Sequence, residues 1–127
     1  AYWKPNIQDL IVNMHSEVFE PVSFCPQPEQ GSRGPIYEMR TYTIRSGTFS
    51  ELEKIWMTVL EQRVILSPLL LALISRNGSQ ERFIHIWPYK SLNHRAQIRT
   101  EAEAKGIWPP KDGRRLSLKQ ETKMPAV

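Results

Sequence analysis

Two short apolar runs, Leu69–Ser75 and Arg82–Trp87, stand on either side of Arg76-Asn77-Gly78-Ser79. Asn-Gly readily takes the positive φ values that a tight turn between antiparallel strands needs, so this stretch predicts a β-hairpin. An isolated hairpin is barely stable in water. The segments around it must therefore supply the rest of a core.

Upstream, Ile36–Ile44 alternates as a strand: Tyr37, Met39, Thr41 and Thr43 fall on one face, and Ile36, Glu38, Arg40, Tyr42 and Ile44 on the other. Ser46-Gly47 then turns the chain, and Thr48 with Glu51 has the spacing of a capping box. Phe49, Leu52, Ile55, Trp56, Val59, Leu60 and Arg63 recur at helical spacing up to the stop at Pro68. Downstream of the hairpin, Lys90–Lys105 reads as a second helix, with Ser91 as its cap and Gly106 as its end. A loop over Trp108–Gly113 leads to a last strand in Leu116–Val127.

Strand, helix, hairpin, helix, strand is the order of the split β-α-β unit. It predicts an α+β fold, ferredoxin-like β-α-β-β-α-β, with both helices on one face of an antiparallel sheet. Alternation in Arg82–Tyr89 separates Ile84 and Ile86 from Phe83, His85, Trp87 and Tyr89. With the two isoleucines expected toward the helices, the aromatic row would lie on the bare sheet face, where a second sheet must cover it. The expected assembly is a dimeric α+β barrel, as a homodimer or as a tandem-domain pseudo-dimer.

Residues 26–35 (Pro-Gln-Pro-Glu-Gln-Gly-Ser-Arg-Gly-Pro) have the composition of a linker. They divide an upstream segment, 1–25, from the domain at 36–127. Within that segment Ile11–Phe24 suits a strand that Pro21 would bend or keep at an edge, and a short helical piece is expected at Pro5–Leu10. No initiator Met or targeting pattern opens the chain, so a processed or truncated product is expected. The longest apolar run, Leu69–Ile74, is far too short for a transmembrane helix.

The single cysteine, Cys25, excludes an internal disulfide, and three histidines at no ligand spacing argue against a metal site. No Gly-rich phosphate loop, Gly-x-Ser-x-Gly elbow or His-Glu-x-x-His pair occurs, so no cofactor is expected. The net charge of +4 is mostly scattered among carboxylates; the one dense cluster is Lys111, Arg114, Arg115, Lys119 and Lys123. It reads either as a solvated face or as a patch for anionic lipid. Aromatic residues lack the basic interleaving of a single-strand-binding sheet, which argues against nucleic acid.

Candidate chemistry centres on His85 as a general base with Tyr89 as a positioning donor, beside Arg40 as an anion clamp. Glu38, Tyr42, Phe83, Trp87 and His94 are candidate pocket residues around them. Each has a plainer reading: His85 as a hydrogen-bonded inner residue beside Trp87, Arg40 and Glu38 as structural pairs, and the aromatic row as core. Cys25 lacks a basic neighbour that would activate its thiol.

Tyr37-Glu38-Met39-Arg40-Thr41-Tyr42 resembles the opening strand of NIPSNAP domains. His85-Ile86-Trp87-Pro88-Tyr89-Lys90-Ser91-Leu92 resembles their strand-to-helix junction, and Trp108-Pro109-Pro110 also fits. The resemblance covers about 36–127 and implies two such domains in tandem. Residues 1–25 would then close a preceding domain. It further implies a mitochondrial or cytoplasmic setting and a non-enzymatic adaptor role in vesicular transport or mitochondrial quality control. Other proteins would be the partners, with membrane-surface association as a further expectation. The alternatives are a ligand-binding or monooxygenase-like enzyme of the same barrel class, and a basic surface for anionic lipid or nucleic acid.

Overall fold

The computed structural model describes residues 9–76, 80–111 and 113–124. The Asn77-Gly78-Ser79 turn and most of the helical piece expected at Pro5–Leu10 lie outside the described residues. The strands that the turn would join are β3 (Leu71–Ser75) and β4 (Glu81–Tyr89), and they pair antiparallel with Leu73 opposite Ile84.

The order along the chain is β1 (Glu20–Pro21), β2 (Ile36–Ile44), α1 (Phe49–Leu66), β3, β4, α2 (Leu92–Ala104), a 3-10 turn (Gly113–Leu116) and β5 (Ser117–Lys123). In space the strands run β1-β3-β4-β2-β5, each pairing antiparallel with its neighbours. This is the ferredoxin-like sheet with one short edge strand added. Of the strand expected over Ile11–Phe24, only Glu20–Pro21 pairs, against Ile74 and Leu73. Just beyond it Val22 donates its N–H to Ala72 O at 3.1 Å, and Phe24 stacks on Trp56 at 5.6 Å.

Helix caps divide into one kept and one altered. Ser91 caps α2 by accepting the His94 N–H at 2.9 Å, which offsets one orphan amide of the first turn. Thr48 precedes α1 but makes no side-chain cap; its hydroxyl donates back to Arg45 O at 2.6 Å. Glu51, the other half of the expected box, is paired with Arg115. A guanidinium within reach thus displaces the reciprocal box, and α1 starts on its backbone alone.

The two sheet faces are the reverse of the expectation. Phe83, His85, Trp87 and Tyr89 are all buried against the helices, while Ile84 and Ile86 occupy the bare face and are half-buried. Alternation fixes which residues share a face but not which face meets the helices. Bulk decides it here. The wide gap between helix and sheet is filled by Trp56 of α1 packed on Phe83 (4.9 Å), His85 (4.5 Å) and Trp108 (4.7 Å). Gly34 brings the chain into β2 so close to β4 that an added Cβ would meet Tyr89 O at 2.6 Å, which is why no side chain fits there.

Candidate functional site

His85 lies in the middle of β4, opposite Arg40 of β2, and has no exposed surface. Its Nδ1 accepts the indole N–H of Trp87 at 2.7 Å. The proton of the neutral ring therefore sits on Nε2, which is buried with no hydrogen-bond partner. Burial, with the charges of Arg40 and Arg63 behind it, pushes the imidazole pKa well down. A group so enclosed has no path to a substrate.

Tyr89 ends the same row four residues on. Its hydroxyl accepts from Nη2 of Arg63 at 2.9 Å. Burial raises its pKa, against the opposing pull of Arg63. Arg63, on the buried stripe of α1, also donates from Nη1 to the Ser67 hydroxyl at 2.8 Å and lies 4.3 Å over the Trp87 ring. Burial lowers its pKa first, with Tyr89 and Glu38 pulling the other way. The sequence placed Arg63 on the inner stripe without a role. A cation at a core position is the signal that it needs a buried acceptor.

Glu38 is equally sealed, and its carboxylate takes both Nε (2.6 Å) and Nη2 of Arg95 from α2. His94, next along that helix, accepts the Lys90 N–H on Nδ1 at 3.1 Å and meets the Tyr89 ring at 5.7 Å. Phe83 and Trp87 are core. The partly buried Cys25 accepts the Ala72 N–H on Sγ at 3.4 Å. Among the described residues no cluster of His, Cys, Asp or Glu could hold a metal, and no helix is long and apolar enough to cross a membrane.

His85, Tyr89 and Arg40 thus do not converge on one space. Arg40 alone borders a cavity of about 150 Å³, between the helices and the β2–β5 end of the sheet. Tyr42 borders it too, with Trp56, Trp108, Arg99, Arg114 and Gln120. The basic cluster is also split by the fold. Arg114 lines this cavity and Arg115 pairs with Glu51. Lys119 pairs with Glu121 at 3.0 Å on the bare sheet face, where Lys123 stands opposite Met39. Lys111 lies in the loop before the 3-10 turn, bordering a shallow recess with Lys54 of α1.

The family model described as NIPSNAP matches residues 37–124. Human Protein NipSnap homolog 2 is 28% identical over 100 residues, 79% of this chain and 35% of the relative. The chain therefore spans about a third of the length of that curated relative. Among solved structures, a NIPSNAP family protein of unknown function from Agrobacterium tumefaciens superposes with a TM-score of 0.65 at 25% identity, covering 76% of this chain and 91% of that one. A dimeric ferredoxin-like protein from an uncultured marine organism matches with a TM-score of 0.56 at 14% identity, covering 72% and 86%; that likeness is one of fold. Match and fold agree on the same segment, with the two motifs in β2 and at the β4–α2 junction: this chain belongs to the NIPSNAP family.

Proposed function

We propose that the chain is a non-enzymatic protein-interaction module of the NIPSNAP type that works as a homodimer, pairing sheet to sheet. The observation that carries this reading is the bare sheet face. Leu71 and Met39 flank Ile86 across the sheet, and Leu73 and Thr41 flank Ile84. These side chains form a contiguous, largely apolar patch, half-buried apart from the buried Thr41, that no helix among the described residues covers. Contiguous apolar surface of this kind marks an interaction site.

A second copy of the same sheet suits it best. Lys119, Glu121 and Lys123 of β5 lie along one side of the patch, and Arg82 and Glu17 pair near its end. Mixed charge around an apolar centre lets one patch pair with a second copy of itself, as a two-fold contact does. A protein of the same fold that is dimeric supports a paired state. The sealed state of His85 and the structural pairing of Tyr89 and Glu38 support a scaffold over an acid–base site. The adaptor role, in vesicular transport or mitochondrial quality control, rests on the family; other proteins would dock on the outer surface of the dimer.

The test is the mass in solution by light scattering. The protein should run at twice its chain mass of 14.8 kDa, and Ile86→Glu should run at the single mass with its circular dichroism intact. A wild-type protein that stays monomeric at about 100 μM would overturn the pairing.

A further inference from the structure

The cavity on the helix side of the sheet has a wall chemistry that the packing does not explain. Arg40 from β2, Arg99 from α2 and Arg114 from the 3-10 turn all border it, and among the described residues no carboxylate does. Four other arginines are neutralised, Arg95 by Glu38, Arg115 by Glu51, Arg82 by Glu17 and Arg33 by Glu29, while Arg45, Arg63 and Arg76 rest on carbonyl, hydroxyl or aromatic groups. The three at the cavity form no ion pair among the described residues. Arg40 Nε is buried with no acceptor, and Nη2 reaches only Gln120 Oε1, at a long 3.5 Å. A buried donor without a partner costs free energy, and so do like charges around one space. An anion in the cavity would remove both costs.

We propose that this cavity binds a small organic oxyanion, a carboxylate or phosphate joined to a compact apolar body. The guanidinium groups of Arg40 and Arg99 would grip the oxygens, with the exposed Arg114 at the rim. Guanidinium is the side chain whose planar fork matches these groups. The rings of Tyr42, Trp56 and Trp108 supply the apolar wall. A cavity of about 150 Å³ is of the size that takes a single aromatic ring, so the ligand is small. The site lies on the opposite side of the sheet from the dimerisation face and does not depend on it.

Isothermal titration of the whole chain with phenyl phosphate and with benzoate, at fixed ionic strength, tests the assignment; inorganic phosphate is the reference. At least one aryl anion should bind saturably, about tenfold or more tighter than inorganic phosphate. Arg40→Gln and Arg99→Gln should each weaken it at least tenfold, while Arg33→Gln, in the exposed loop pair, leaves it unchanged. Because the two site variants remove unpaired charge, their ligand-free melting temperatures should not fall, so lost binding will not reflect lost folding. No saturable heat to about 10 mM would overturn the proposal. So would unchanged affinity in the double variant, or inorganic phosphate binding as tightly as the aryl anions.

Discussion

At the scale of single residues, His85 carries a consequence for pH. Protonating its ring would put a hydrogen on Nδ1, where Trp87 already donates, and would place a cation in the core facing Arg40 and Arg63. The folded pKa is therefore depressed, while the unfolded value stays near 6.5. Between these values the unfolded chain binds the proton and the folded one does not, so stability falls as pH falls below about 6.5. Above that pH both states are neutral and the group contributes no slope. One proton gives at most about 1.4 kcal/mol per pH unit. Urea midpoints of the wild type should drop from pH 7 to pH 5 more steeply than those of His85→Phe. Parallel profiles would mean that His85 does not stay neutral in the fold. The sequence offered His85 as a base or as an inner residue beside Trp87, and favoured the second. The hydrogen bond to Trp87 needs only alternation two residues apart, but burial depends on Trp56 and Tyr42, far away in the chain.

At the scale of elements, the order of strands and helices was legible because local signals agree with one another: hydrophobic period, the Ser91 cap, the stop at Gly106. What was not legible depends on distance. The Thr48–Glu51 box is a valid local pattern, overridden when the 3-10 turn delivers Arg115 to Glu51. The pairing of Glu38 with Arg95 joins β2 to α2 across 57 residues, and no spacing rule reaches that far. It also fixes how α2 sits on the sheet. Arg95→Ala would strand a carboxylate with almost no exposure, a loss of about 3 kcal/mol or more. Replacing both partners with methionine should recover part of that loss, since the orphaned charge goes with its partner. A double-mutant cycle by urea unfolding measures the coupling. Additive effects of the two substitutions would show that the contact holds nothing together.

For the molecule as a whole, the decisive ambiguity was which face of the sheet is inside. Both faces of β4 are apolar, Phe83-His85-Trp87-Tyr89 and Ile84-Ile86, so either could have met the helices. The aromatic set wins because only it fills the layer with Trp56 and Trp108. The aliphatic set is then left on the bare face, and a fold completed there by the proposed pairing has a stability that depends on its own concentration. If two sheets pair through Ile84, Ile86, Leu71, Leu73 and Met39, each tenfold rise in protein concentration adds about 1.4 kcal/mol per dimer. The melting temperature should then climb by a few degrees between about 1 and 100 μM. Ile86→Glu should flatten that climb, because its carboxylate would be desolvated at the centre of the contact but hydrated on a lone subunit. A wild-type melting temperature constant over that range would instead mean that the two sheets do not pair and that the apolar face is stable in water as it stands.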